Sequence, residues 1–114
     1  MKYFIVEMTY RAPIETIREN YTAHRSWLQK GYDQDLFLCS GPKSEPPVGG
    51  YLLARANSKS ELEGMFVEEP LCKAGLGTLT FTEFQPVKRA SWAEAWFNGE
   101  DGVSGAVGAP QRQD

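Results

Sequence analysis

Residues 13–30 read PIETIRENYTAHRSWLQK. Ile14, Ile17, Tyr21, His24 and Leu28 step by 3, 4, 3 and 4, which sets them on one face of an amphipathic helix. Glu15, Arg18, Glu19 and Gln29 supply the polar face. Pro13 suits a first helical turn, and Gly31 suits a C-terminal cap. The spacing therefore predicts one helix over 13–30. Before it, KYFIVEMTY at 2–10 is rich in β-branched and aromatic residues and reads as a strand.

After the helix, Leu36-Phe37-Leu38-Cys39 is a short apolar run, read as a second strand ended by Ser40-Gly41-Pro42. Residues 41–50 hold three prolines and three glycines, a loop signature. Gly50 to Ala56 reads as a third strand. Ser58-Lys59-Ser60-Glu61 is a capping box, and Leu62, Met65 and Phe66 give the helix behind it an apolar face. Glu69-Pro70 interrupts that helix, since the residue before a proline is pushed out of helical geometry. Leu71 to Ala74 adds a turn closed by Gly75. Leu76 to Phe84 alternates Thr78, Thr80 and Thr82 with Leu79, Phe81 and Glu83, the period of a half-buried strand. Ser91-Trp92-Ala93-Glu94 reads as a second capping box, with Trp92 and Trp96 pressed onto one surface by a short final helix. From Asn98 onward glycine recurs at 99, 102, 105 and 108. The run is too short and too poor in proline for a triple helix, so residues 98–114 are expected to be a glycine-rich, flexible tail behind a domain at 1–97.

The element order is β-α-β-β-α-β plus a C-terminal helix. It predicts an α+β, ferredoxin-like fold with helices on one face of a four-stranded antiparallel sheet. The other face also needs cover, and a second copy of the chain supplies it most simply, so a homodimer with isologous symmetry is expected.

Composition narrows the function. The chain has 114 residues with 41% hydrophobic and 24% charged positions, which fits one ordinary globular domain. Twelve basic against fifteen acidic residues leave a net charge of −3, which speaks against nucleic-acid binding. No apolar run is long enough to span a bilayer, and Glu7 interrupts the opening segment too early for an export signal. A cytoplasmic protein without membrane contact is expected. A single histidine and two separated cysteines, Cys39 and Cys72, offer no recognisable metal site. Phosphate-cradling and serine-hydrolase motifs are absent from the sequence. No cofactor and no metal are expected.

The chain resembles the YciI-like (YCII-related) proteins, small dimeric α+β-barrel proteins of the ferredoxin-like class. Four features over about residues 1–86 carry the resemblance. They are the MKYFIVEM opening, the helix with Arg18, His24 and Leu28, the Ser40-Gly41-Pro42 strand end followed by Gly49-Gly50, and the stretch from Phe66 through Glu69-Pro70-Leu71 to Gly75-Leu76. The resemblance implies an active-site pair of His24 with Glu69. Glu-Pro-Leu stands here where the family has Asp-Pro-Phe, which adds a methylene to the acid. It also implies small-molecule chemistry, since members have been linked to removal of chloride from a hydroxylated aromatic ring.

Each candidate has a plainer reading beside it. A lone histidine on an apolar stripe also serves as a packed, hydrogen-bonded residue, but His24 is the one side chain here whose ordinary pKa, about 6.5, suits proton transfer at neutral pH. Glu69 reads equally as an exposed helix end, with Glu68 as its rival. Ser40, Gly41, Pro42 and Gly50 form either a turn or the lip of a substrate pocket. Arg18, six residues before His24, falls on the solvated face. Arg25 and Arg55 either steer an acidic substrate or are surface charges. The leading expectation is a small-molecule enzyme doing cofactor-free general acid–base chemistry, an elimination or isomerisation, with His24 moving the proton and Glu69 orienting it. The alternatives are a non-catalytic binding or accessory protein of the same fold and a relative of the muconolactone-isomerase type.

Overall fold

The computed structural model describes residues 1–100. β1 (Lys2–Tyr10) leads into α1 (Ile14–Arg18) and α2 (Tyr21–Asp33), then β2 (Phe37–Lys43) and β3 (Gly49–Ala56). These are followed by α3 (Lys59–Phe66), α4 (Pro70–Lys73), β4 (Gly77–Phe84), a 3-10 turn (Ser91–Ala93) and α5 (Glu94–Phe97). The strands form one antiparallel sheet in the order β2-β3-β1-β4, the ferredoxin-like arrangement.

Strand alternation gives the sheet two faces. Phe4, Val6 and Met8 of β1 lie in register with Ala54, Leu52 and Gly50 of β3 and with Glu83, Phe81 and Leu79 of β4. Apart from Glu83 near the sheet end, this face turns toward the helices. Phe4, Val6, Leu52, Ala54 and Phe37 join Leu62 and Phe66 of α3 in the main core, with Trp27 and Leu28 of α2 packed on it. Burying each such Phe or Leu contributes about 1.5–3 kcal/mol.

The expected single helix over 13–30 is two helices. The Asn20 side-chain amide donates to the Thr16 carbonyl at 3.1 Å, and its backbone leaves helical geometry at φ −106°, ψ 3°. Asparagine competes in this way with the backbone's own hydrogen bonds. α2 then runs past Gly31 to Asp33. Gly31 is an interior contact instead of a cap, because a Cβ there would run into the Phe37 ring. β2 likewise passes through Ser40, Gly41 and Pro42 instead of ending before them. It is an edge strand, where proline's missing N–H costs no ladder bond.

Two helix starts follow their sequence signals. The Glu61 N–H donates to Ser58 Oγ at 3.1 Å, while Glu61 Oε1 accepts from the Asn57 N–H. Pro70 opens α4 behind Glu69, and Gly75 takes φ +74° after it, a conformation that glycine adopts without strain. The third start differs: Ala90, not Ser91, caps the 3-10 turn, with no side-chain bond. A 3-10 turn feeding one α-turn does not keep i and i+4 aligned, so Trp96 is 2% exposed and Trp92 62%.

Trp96 covers one end of the second sheet face. It packs on Tyr3, with Leu38, Leu53 and Phe84 around them, and its Nε1 donates to the Asp35 carbonyl at 2.9 Å. Farther along this face Ile5 and Tyr51 remain 41% and 47% exposed. The expected flexible tail lies, from residue 101 on, outside the described residues. No helix among the described residues is long and apolar enough to cross a membrane.

Candidate functional site

α2 crosses the sheet as a lid with two kinds of underside. Toward its C-terminal half, Trp27, Gly31 and Tyr32 meet the ring of Phe37. Toward its N-terminal half, Tyr21, His24, Arg25 and Leu28 face a cavity of about 330 Å³, near the small end of the roughly 300–1,000 Å³ typical of ligand sites. The cavity exists because the sheet offers little bulk opposite that half. Gly50, Ser40 and Pro42 stand at helix-facing register positions there. These three and Gly41 line the cavity from within the strands. Val6, Met8, Leu52, Phe66 and Leu79 give it an apolar floor.

His24 Nδ1 is 2.6 Å from Glu69 Oε2. Glu69 itself is fully buried and stands behind the histidine, not in the cavity wall. It reaches His24 because Pro70 fixes it at the start of α4, where its other oxygen, Oε1, accepts the Cys72 N–H at 2.9 Å. Burial opposes the charge on Glu69. Hydrogen bonds from His24, the backbone N–H groups of Cys72 and Leu71, and the Cys72 thiol outweigh it and hold the carboxyl below its ordinary 4.5. Burial, with the bond to Glu69, pushes the Cys72 thiol up to about 12, so at neutral pH it is a donor to the carboxylate. A carboxylate accepting at Nδ1 requires the proton to sit there. In the neutral ring, Nε2, which makes no hydrogen bond among the described residues, is then left as the acceptor for a molecule in the cavity. The extra methylene of glutamate does not prevent the pairing.

Glu68, the rival acid, is exposed and pairs with Lys73 at 3.1 Å. Tyr10 and Tyr21 were not among the sequence candidates, yet both line the cavity. Burial, then a hydrogen bond to Tyr21 and the nearby Glu69 charge, raise Tyr10 above its ordinary 10. Tyr10 therefore stays a neutral donor. The available signal was the stripe on which Tyr21 precedes His24 by one turn. Among the described residues no cluster of three or more His, Cys, Asp or Glu could hold a metal ion.

The model of the YCII-related domain matches residues 1–85. The chain belongs to the YCII-related family. No curated protein sequence matches this YCII-related chain. Among solved structures it is similar to 5-chloro-2-hydroxyhydroquinone dehydrochlorinase (TftG) from Burkholderia phenoliruptrix AC1100, seen in complex with 2,5-dihydroxybenzoquinone. The TM-score is 0.61 at 22% identity, over 72% of this chain and 92% of that one. The likeness is one of fold.

The arginines of this YCII-related domain part ways. Arg18 is exposed, as the helical period requires. Arg55 is neither a steering nor a surface charge: it is fully buried on the far face of the sheet, 5.1 Å from the Trp96 ring centroid, and its Nη1 donates to the Trp96 carbonyl at 2.7 Å. Arg25 alone of the three lines the cavity.

Proposed function

We propose that the chain is a small-molecule enzyme in which His24 is the general acid–base and Glu69 orients it, without a cofactor. The observation that carries this reading is the 2.6 Å bond that ties Glu69 to His24, whose ring lines the cavity. Glu69 fixes the ring and its tautomer, so Nε2 can accept a proton from a bound molecule within hydrogen-bond reach. In an elimination, the electron pair released with that proton forms a new π bond, and the leaving group departs with the pair of its breaking bond to carbon. Chloride leaving a hydroxylated aromatic compound fits this balance, and the fold neighbour's substrate makes it the first reaction to assay. The exposed part of the second sheet face, with Ile5 and Tyr51, is the surface on which a homodimer would form.

A second reading, a binding protein without turnover, draws on one observation: Glu69 also caps α4, so the acid has a structural use apart from chemistry. Two measurements separate the readings. Nitrogen NMR of the single histidine reads its tautomer directly. We expect Nδ1–H in the wild type and a changed tautomer in Glu69→Gln. Chloride release from 5-chloro-2-hydroxyhydroquinone is then compared with His24→Ala. A folded His24→Ala protein with undiminished turnover would overturn the proposal, and binding without release by the wild type would favour the binding protein.

A further inference from the structure

The charges around the cavity are one-sided. Among the described residues, His24 and Arg25 are the only lining residues with a cationic form, and none of the lining residues carries a carboxylate. Glu69, behind the histidine, lies outside the lining, with its oxygens held by His24 and the Cys72 N–H. Arg25 thus brings a permanent positive charge to the cavity of a chain whose net charge is −3.

Arg25 is also held ready. Its guanidinium carbon lies 5.5 Å from the centroid of the Tyr21 ring, a distance at which the aromatic face attracts the cation. It forms no ion pair among the described residues, whereas Lys43, Lys73 and Arg89 each hold a carboxylate. Tyr21, His24 and Arg25 share the cavity face of α2 because residues three and four apart on a helix are neighbours. The guanidinium and the histidine ring therefore border the same space, and the apolar floor below them suits a flat hydrocarbon body.

Building on the reading of this cavity as the ligand site, we propose that Arg25 is a specificity-determining residue that selects ligands bearing an anionic oxygen substituent on a small planar ring, holding that substituent at the rim while the ring lies on the apolar floor beside His24. The guanidinium's planar fork matches a two-oxygen anion. The stacking on Tyr21 lowers the ordering cost of receiving it.

Benzoate and benzamide test this, being nearly the same in shape and differing in charge. Each is titrated into the full chain at low salt while the ring signals of the only histidine are followed. The wild type is expected to bind benzoate about tenfold more tightly than benzamide, a ratio typical of one charge-assisted contact at a partly exposed site. Arg25→Gln is expected to bring the two affinities together, and Arg25→Lys to keep part of the preference. Equal affinities in the wild type would overturn the proposal, as would binding of neither compound. A preference that survives Arg25→Gln would also overturn it, since the imidazole would then be the reader. None of these failures touches the His24–Glu69 pair, which is judged by the tautomer of His24 in the protein without ligand.

Discussion

The space between α2 and the sheet is filled at one end and hollow at the other, although the same two elements enclose both. At the filled end Phe37, Phe66 and Trp27 interlock, with ring centroids 4.7–6.3 Å apart, and Gly31 lets the helix settle onto Phe37. At the hollow end Gly50, Ser40 and Pro42 take the corresponding strand positions, and the helix carries Tyr21, His24 and Arg25. One end is organised for cohesion and the other for reception, and small residues on two adjacent strands make the difference.

Substitutions at the two ends should separate stability from binding. The largest effect is expected at the filled end, where Phe37→Ala should cost about 3–5 kcal/mol in urea unfolding and leave benzoate affinity nearly unchanged in the protein that remains folded. Glu69→Gln comes next, at about 2 kcal/mol near neutral pH, because a buried charge-assisted bond is lost. The native carboxyl lies below its ordinary 4.5, so its stabilisation is present above that pH and disappears as the pH falls through the lowered native value. The gap between wild type and Glu69→Gln should therefore narrow on acidification below 4.5, as measured by unfolding midpoints across pH. A gap that widened in acid would show that the hydrogen bonds do not outweigh burial.

At the hollow end the balance should reverse. A Cβ at position 50 would meet the Gly41 carbonyl oxygen at 3.1 Å, so β2 must yield by a few tenths of an ångström. Gly50→Ala is expected to cost about 1 kcal/mol of stability and to weaken benzoate binding through the lost space, measured by the same titration. Smallest of all is Ser40→Ala, which removes a 2.7 Å hydroxyl contact with Tyr32 in an exposed setting. About 0.5 kcal/mol is expected, and a larger loss would mean that this contact braces the cavity.

Much of the architecture was legible because local signals agreed with it. The threonine alternation of β4, the Ser58–Glu61 cap and the Glu69-Pro70 break each correspond to an element. The His24–Glu69 contact was legible only through family resemblance, since no local rule joins residues 45 apart in the chain. The break at Asn20 was hidden because the 3-and-4 stepping of apolar residues runs straight through it. β2 looked shorter than it is because Ser-Gly-Pro signals a turn unless the strand is known to lie at a sheet edge. Arg55 and Trp96 were opaque for another reason. They are buried in contact with each other, and that pairing, across 41 positions, leaves no local trace.

Glu69 serves two masters with its two oxygens, one bonded to the Cys72 amide and the other to the His24 ring. The Cys72 amide proton is thus a remote gauge of the histidine, lying on the far side of the carboxylate from the cavity and out of reach of solutes there. Whatever a visitor does to the imidazole must pull on or slacken the shared carboxylate. The exchange of that one proton with solvent would register the event without a label in the cavity.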